Sequence, residues 1–436
     1  MYSIPKVQFR ECYENNISEN DMSSILIQNV LLEDRRVQVL IEGNRFREVA
    51  GELTVTVPEG AEVIDGSDYA IVPPFYNCHC HSAMTLLRGY ADDMSLMDWL
   101  TQKIWPFEAR LTEDDIYLGS RLAILEMIKS GTVFFADMYW KQRPTARAVE
   151  EMGVRANVCV FVIDTMDAKT LDGLFEELEQ WHPTTSRLTK AIGPHSPYTC
   201  SASLLQRSAA VSEQLDIPLQ IHVAETMREV QECREQHDGL SPICYLDHLG
   251  VLSKRVVAAH MVHLDENDVF IAAKRGIVSV HNPCSNMKLS SGIMPYGQMS
   301  RAGCRIALGT DGVASNNNLD MREEMKMASL LAKVQTSDPE MMPASETLRL
   351  ATRNGAEAFG IDAGEIKTGK LADAVLVRLD DPAMLPLHNF TSNYVYAAGS
   401  GLIDTVICDG RILMRNRRVE GEDEIRNDIR KWKERH

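Results

Sequence analysis

The chain of 436 residues lacks long apolar runs, an excess of positive charge and closely paired cysteines. A membrane-spanning helix needs about 20 consecutive apolar residues, so we expect no membrane partner. Lys and Arg total 45 against 62 Asp and Glu, a formal net charge of -17, which opposes any broad attraction to nucleic acid. The 10 cysteines include no CxxC pair, which is typical of reduced thiols. We therefore expect a cytoplasmic, globular protein.

Several nucleotide and metal motifs are also missing. Neither GxGxxG nor GxxxxGK[ST] occurs, so a dinucleotide-binding or P-loop enzyme has no support. A cytidine-deaminase type of site needs PCxxC, but no second cysteine follows Pro283 and Cys284 at that spacing. The tetrad Cys78 to His81 does not predict a zinc finger, because four consecutive ligands cannot form one tetrahedral site.

Two β-rich segments flank a longer region in which strands alternate with helices. Residues 25–73 and 365–421 contain short strand-like runs and predict one composite β-sandwich. Residues 74–364 contain eight strand–helix units, which predict an α/β fold of the (β/α)₈ TIM-barrel type. Residues 1–24 are polar and predict a flexible N-terminal arm, whereas 422–436 predict a charged C-terminal helix.

The strand ends of a barrel matter because active sites lie at the carboxyl ends of its strands. The eight predicted barrel strands are residues 75–80, 132–138, 156–162, 191–193, 219–223, 256–260, 276–281 and 305–308.

In the C-terminal segment, strands are expected at 370–378, 395–397 and 405–411.

The strongest local motif is His79-Cys80-His81, at the end of the first predicted barrel strand. Alternate residues of a strand share one face, so both imidazoles can point into the barrel mouth; two histidines packed in a core are the alternative. His222 ends the fifth strand and Asp311 follows the eighth. Three imidazoles and a carboxylate suit Zn²⁺ or Fe²⁺ and leave a coordination position for water.

Further candidates follow neighbouring strands. Glu225 lies three residues after His222, where it could shuttle a proton without ligating the metal; the alternative is a carboxylate that complements a helix dipole. His260 ends the sixth strand and is the better candidate for the mouth. His195 and His281 follow the fourth and seventh strands, and either could instead be a structural hydrogen-bonding residue.

One divalent metal is the simplest interpretation of this pattern. Two-metal sites of a related kind use a bridging carboxylated lysine, but Lys190 precedes the fourth strand instead of ending it. Asp311 alone, within Thr-Asp-Gly, could be a turn residue. Its coincidence with three histidines at strand ends favours a ligand.

At these positions the sequence resembles the amidohydrolase superfamily, whose members combine a metal-binding barrel with a β-sandwich built from both chain ends. Within it, four runs are similar to the 5-methylthioadenosine/S-adenosylhomocysteine deaminases. The runs are SAMTLLRGYADDMSLMDWLTQKIWPFEAR (82–110), GPHSPYTCS (193–201), SVHNPCSNMKLSSG (279–292) and GTDGVASNN (309–317). The resemblance covers about residues 25–411.

The resemblance implies a metal-dependent hydrolytic deaminase that converts the adenine of 5'-methylthioadenosine or adenosine-type nucleosides to the hypoxanthine analogue and ammonia. S-Adenosylhomocysteine is a further candidate substrate. One metal is implied, zinc before iron, with ligands His79, His81, His222 and Asp311. The implied catalytic residues are Glu225, His260 and Asp311, and the implied substrate contacts are Glu108, His195, Glu225 and Trp99.

The sequence departs from this family in one place. Members that take S-adenosylhomocysteine carry an arginine after the third strand, but residues 157–162 contain none and Arg155 comes too early. Deamination or dechlorination of another heterocycle, such as guanine or an s-triazine, is an alternative. A non-catalytic assembly subunit is another, although it should have lost its ligands. We expect a nucleoside as the small-molecule partner and a homo-oligomer as the assembly.

Overall fold

The computed structural model describes residues 24–435, so the predicted arm at 1–24 lies outside the described residues except for Ser24. Two sheets contain the strands of this region. The strands are β1 Ser24–Leu32, β2 Arg35–Glu42, β3 Arg45–Ala50, β4 Glu62–Asp65, β5 Tyr69–Val72, β6 Phe75–Cys80, β7 Thr132–Asp137, β8 Arg155–Val162, β9 Leu188–Pro194, β10 Leu219–Val223, β11 Val256–His260, β12 Val278–His281, β13 Arg305–Leu308, β14 Ala374–Arg378, β15 Ile403–Cys408, β16 Arg411–Arg415 and β17 Arg418–Val419.

The helices pack mainly around the sheet formed by β6 to β13. They are α1 Leu96–Trp99, α2 Trp105–Glu108, α3 Glu113–Lys129, α4 Gln142–Met152, α5 Ala168–Gln180, α6 Ala202–Leu215, α7 Met227–Gln236, α8 Pro242–His248, α9 Glu266–Arg275, α10 Pro283–Lys288, α11 Tyr296–Arg301, α12 Val313–Asn316, α13 Met321–Thr336, α14 Ala344–Ala351, α15 Arg353–Ala358, α16 Phe390–Tyr396 and α17 Glu422–Arg435. Short 3₁₀ turns lie at Ser82–Leu87, Pro382–Met384 and Ser400–Leu402, and a π turn at Leu100–Ile104. Within 24–435, no helix combines the length and apolarity needed to cross a membrane.

Local sequence sets where several of these helices begin. Thr112 and Asp115 form a capping box at the start of α3, in which each side chain accepts the other's backbone N–H, at 3.2 and 2.8 Å. Asp265 and Asp268 do the same for α9. Thr226 caps α7 by accepting the N–H of Glu229. Such caps satisfy amide groups that the first helical turn leaves without partners.

Strands β6 to β13 pair in parallel in chain order and form the predicted barrel. The predicted bounds of four strands, 75–80, 219–223, 256–260 and 305–308, agree with β6, β10, β11 and β13. The barrel closes between its first and last strands, where the Asp311 N–H donates to the carbonyl of His79 at 3.0 Å. The expectation of a (β/α)₈ barrel is confirmed.

The other sheet combines both ends of the chain, as expected. Its order is β17-β16-β15-β14-β5-β1-β2-β3, with β4 paired to β1. Strand β5, which the sequence pattern does not predict, joins the two segments, since Val72 pairs with Val375 in an antiparallel register. Side chains from both segments share one core, including Ile27, Phe46 and Ile407.

One predicted strand is wrong. Residues 395–397 lie at the end of helix α16, not in a strand. Asn389 caps this helix by accepting the Ser392 N–H at 2.8 Å. Tyr394 then stacks one helical turn from Phe390 and against Phe75 of the barrel, with ring centroids 5.4 and 6.0 Å apart. This packing overrides the β preference of aromatic and branched residues.

A buried ion network joins the barrel to the other sheet at the start of β8. Arg155 donates to Asp373 at 2.9 Å and to Asp409 at 2.7 Å. The hydroxyl of Tyr76 also donates to Asp373, at 2.8 Å. Arg155 is therefore a structural residue at the amino end of its strand, on the opposite side of the barrel from the mouth.

We expect Arg155→Ala to lower the free energy of unfolding by about 3–5 kcal/mol, because it leaves the Asp373 carboxylate buried without this cation. Urea denaturation of the parent and variant would measure the loss. Arg228→Ala is the matched control, since Arg228 pairs with Glu232 on the surface of α7, and it should change stability little. Equal losses in the two variants would contradict the structural role of Arg155.

Candidate active site

The carboxyl ends of four barrel strands bring together a cluster of buried side chains. His79 comes from β6, His222 from β10 and His260 from β11, and Asp311 follows β13. One potential ligand atom of each lies within 4.8 Å of the others. These residues are far apart in sequence, so the barrel closure, rather than any local motif, assembles them.

His81, the second histidine of β6's end, reaches the same cluster. Its Nε2 lies 3.1 Å from Asp311 Oδ1 and 3.3 Å from His222 Nε2. His79 Nε2 lies 3.4 Å from the same Asp311 oxygen and has no hydrogen-bond partner in the described region. Tetrahedral zinc bonds of about 2.0–2.1 Å place neighbouring ligand atoms roughly 3.3 Å apart. The observed spacing and the donor set therefore fit a divalent metal.

The remaining ring nitrogens of two histidines are held by backbone carbonyls. His222 Nδ1 is 2.8 Å from the carbonyl of His195, and His81 Nδ1 contacts the carbonyl of Met138. A hydrogen bond donated from Nδ1 leaves the lone pair on Nε2, which then points into the cluster. Such backbone contacts are a common device for orienting metal-binding imidazoles.

Burial determines the protonation of His79 and His222, whereas burial at His81 is outweighed by the contact with Asp311, which raises the pKa of that ring to about 9. Burial lowers the pKa of His79 to about 4 and holds that of His222 well below its usual range. Both rings are therefore neutral at pH 7, the form that binds metals. Burial opposes ionisation of Asp311, but its contacts with His79 and His81 outweigh that effect and hold the pKa of Asp311 well below the usual range.

Asp311 is oriented by two hydroxyl groups that sequence reasoning missed. Ser285 and Ser315 both donate to Asp311 Oδ2, at 2.6 and 2.8 Å. Oδ1 is thereby left facing the histidines. The signal for these serines was present in the runs 279–292 and 309–317, but nothing in the sequence shows that both hydroxyls reach one carboxylate oxygen.

Glu225 and His260 form a second pair beside the cluster. Glu225 Oε2 lies 3.7 Å from His260 Nε2, and Ser291 donates to Glu225 Oε1 at 3.2 Å. His260 Nδ1 is 2.8 Å from Asn286 Oδ1. Burial raises the pKa of Glu225, which favours a carboxylic acid that can deliver a proton near neutral pH.

A cavity lies above the cluster, and the predicted substrate contacts line it. Glu108 accepts from Trp140 Nε1 at 3.0 Å, and its Oε1 is buried without a partner in residues 24–435. Trp99 and His195 line the cavity with it. His281 is buried but does not line this cavity, so the structural alternative is the better one for His281.

An apolar roof covers the cluster, and an outer cavity opens beside it. The roof comes from α1, α2 and the π turn between them, and it consists of Leu96, Trp99, Leu100, Ile104 and Trp105. The outer cavity has a volume of about 600 Å³ and shares Trp105, Glu108, Trp140 and Phe161 with the inner one. Together they can hold a flat heterocycle at the cluster and a substituent outside it.

A parallel barrel with buried His and Asp side chains at the carboxyl ends of its strands is typical of metal-dependent enzymes. A model of the amidohydrolase family matches residues 70–413. The chain belongs to the amidohydrolase family, which confirms the resemblance found in the sequence.

Along most of its length, the chain is similar to several proteins named as deaminases. A 5-methylthioadenosine/S-adenosylhomocysteine deaminase of Desulforudis audaxviator is 47% identical over 371 residues, 84% of this chain and 86% of that protein. A 5'-deoxyadenosine deaminase of Methanothermobacter thermautotrophicus is 46% identical over 409 residues, 92% and 95% of the two chains. The crystal structure of an adenosine deaminase from Xanthomonas campestris with bound zinc superposes with a TM-score of 0.89 at 33% identity, covering 95% and 98%.

The donor set predicts one tightly bound divalent ion per chain, which plasma emission spectrometry of the purified protein would measure as zinc or iron. The double variant His79→Ala/His81→Ala should lose this ion, because two nitrogen donors are removed. His237→Ala is the control, since that ring stacks on Tyr245 with centroids 3.7 Å apart, and it should keep the ion. Two tightly bound ions per chain would contradict a mononuclear site.

Proposed function

We propose that the protein is a hydrolytic deaminase of adenine nucleosides, which replaces the 6-amino group with oxygen and releases ammonia. The observation that carries this proposal is the position of Glu225, a buried acid with a raised pKa, beside His260 and the His–Asp cluster. This arrangement places a proton donor, a second polar ring and a metal-type site around one small volume. The names of the similar proteins support the same reaction.

We propose His79, His81, His222 and Asp311 as the residues that hold the metal. His260 is also close enough to count as a donor, but its Nε2 faces Glu225, whereas the contacts of His81 have ligand-like spacing. Zinc is the first candidate, and iron is the second. A divalent cation bound there would lower the pKa of a water molecule to about 7 and so supply a nucleophile at neutral pH.

The side chains account for the proton transfers. Asp311 Oδ1 accepts a proton from the attacking water, because Oδ2 is already engaged by Ser285 and Ser315. Glu225 delivers a proton to N1 of the purine as the water oxygen bonds to C6. His260 donates a hydrogen bond to that oxygen. Asp311 passes its proton to the amino nitrogen, the bond from C6 to that nitrogen breaks, and ammonia leaves. The remaining proton of the oxygen on C6 returns to Glu225, and the hypoxanthine analogue is formed.

The nucleoside is held by the residues above the cluster. Glu108 has a buried oxygen without a partner among the described residues, which can accept hydrogen bonds from ribose hydroxyls. His195, whose pKa burial lowers to about 3, is a neutral ring beside the same cavity. Trp99 supplies an apolar surface for the base. A free base such as guanine, or an s-triazine, has no ribose hydroxyls to offer to Glu108 Oε1, so these alternatives are less well supported.

The 5' substituent would extend into the outer cavity. Arg155 cannot reach it, because it is engaged by Asp373 and Asp409 at the other end of the barrel. Arg143 lines the outer cavity but is paired with Glu177 at 2.7 Å. Lys141 also lines it. The other lining side chains include Ile163, Met166 and Leu174, and they suit a methylthio or deoxy substituent better than a charged homocysteine.

A non-catalytic assembly subunit should have lost its metal ligands. Every proposed ligand is present, and so is Glu225, so this alternative is less well supported. The expected homo-oligomer and cytoplasmic location stay predictions.

Glu225→Gln should keep the metal and the fold but lower kcat by about 10²–10⁴-fold, because the amide preserves shape and cannot deliver the proton. Ammonia release from 5'-methylthioadenosine would measure the loss. Glu235→Gln, an exposed position on α7, should match the parent. A Glu225→Gln variant within threefold of the parent would show that another group transfers the proton.

We expect kcat/KM for 5'-methylthioadenosine to exceed that for S-adenosylhomocysteine by about 10-fold or more. The carboxylate of the homocysteine tail would lose its hydration without gaining a full cationic partner, and each 1.4 kcal/mol of binding energy lost in this way lowers kcat/KM about tenfold. Ammonia release from both compounds under identical conditions would test this. Lys141→Ala should leave the first substrate unaffected. Equal or higher efficiency with S-adenosylhomocysteine would contradict the prediction, and a loss confined to that substrate in Lys141→Ala would identify Lys141 as the cation that binds its tail.

A further inference from the structure

A second buried glutamate lies close to Glu225 and has no part in the chemistry above. Glu229 is on the first turn of α7, four residues after Glu225, and its exposed fraction is 5%. Its Oε1 accepts the N–H of Ala224 at 2.9 Å, and its Oε2 accepts the N–H of Glu225 at 2.8 Å. Both carboxylate oxygens are thus engaged by consecutive backbone amides of the loop that carries Glu225.

This loop has a backbone conformation that needs support. Ala224 has a φ of +52°, in the left-handed region that residues with a Cβ rarely occupy. The carbonyl of Ala224 accepts the N–H groups of Val262 and His263, both at 3.0 Å. Those two residues follow the turn that begins at His260. Glu229 therefore holds the backbone of the Glu225 loop beside the point where this loop is hydrogen-bonded to the segment after His260.

We propose that Glu229 is a positioning residue that fixes the direction in which Glu225 approaches the purine. This inference rests on the proposed role of Glu225 as the proton donor. A displacement of about 1 Å at a reacting group can lower the rate roughly 10²-fold. Two hydrogen bonds that hold the backbone beside Glu225 can therefore have a large effect on turnover. Glu229 itself does not line the cavity above the cluster.

A purely structural role is the competing explanation, because an acidic residue at a helix N-terminus stabilises the helix. Thr226 already caps α7 through the N–H of Glu229. The two explanations differ in what a variant loses. A structural residue contributes to stability whether or not Glu225 is present, whereas a positioning residue matters for turnover only while Glu225 can act.

The first test is Glu229→Gln in the metal-loaded enzyme, assayed at pH 8 because burial raises the pKa of Glu229 to about 7. The amide oxygen can accept one of the two N–H groups, but its NH₂ cannot accept the other. We expect kcat for 5'-methylthioadenosine to fall by about 10–100-fold, with KM within about threefold and the metal content unchanged. Glu229→Asp, which keeps both acceptor oxygens, should recover part of the loss. Glu232→Gln, on the same helix, should match the parent.

The second test combines Glu229→Gln with Glu225→Gln in a double-mutant cycle. In the Glu225→Gln background, Glu229→Gln should change kcat by less than about threefold, because the group that it positions can no longer deliver a proton. The same large factor in both backgrounds would overturn the inference, and so would an unimpaired Glu229→Gln beside an impaired Glu225→Gln. An active Glu225→Gln would instead overturn the proposed function, and this inference with it.

Discussion

The site depends on one backbone contact, the hydrogen bond from the Asp311 N–H to the carbonyl of His79. It joins the end of the eighth barrel strand to the first, and it places a carboxylate from one end of the barrel sequence against two imidazoles from the other. Without this closure, His79 and His81 would lie on one edge of an open sheet and Asp311 on the opposite edge. The chemistry therefore follows from the closure of the sheet, which is the property that distinguishes a barrel from an open parallel fold.

The same mouth concentrates unusual backbone geometry. Ala224, His260 and Asp311 have φ values of +52°, +74° and +61°, and none is glycine. Each such residue costs on the order of 1–3 kcal/mol, and it persists only where surrounding contacts hold it. Here those contacts are visible: the barrel closure holds Asp311, and the carboxylate of Glu229 holds Ala224. The side chains proposed as catalytic are thus placed by turns of unusual backbone geometry that neighbouring contacts hold.

The barrel, and the residues that meet at its mouth, could be predicted from the sequence because both follow local rules. A strand of alternating faces ending in His79 and His81 can be recognised without knowing its neighbours, and so can His222 at the end of β10. The supporting residues could not be found in the same way. Ser285 and Ser315 matter because they meet at Asp311, and that meeting depends on how three loops pack.

Two other features of the structure could not be predicted from the sequence for the same physical reason. Residues 395–397 have strand-like composition, but the stacking of Tyr394 against Phe75 makes them the end of a helix. Arg155 could be dismissed as a substrate ligand by its early position, yet only the structure shows its buried pairing with Asp373. In each case a contact distant in sequence decides the outcome, and periodicity carries no information about it.

In the proposed reaction, water attacks C6 of an adenine nucleoside at this cluster. Mass spectrometry of the products formed from 5'-methylthioadenosine, in water enriched in the heavy oxygen isotope, tests it most directly. We expect one heavy oxygen atom to enter the base at C6 for every ammonia released, and the bond between base and ribose to stay intact. Free adenine without ammonia, or heavy oxygen in the ribose, would contradict the proposed reaction.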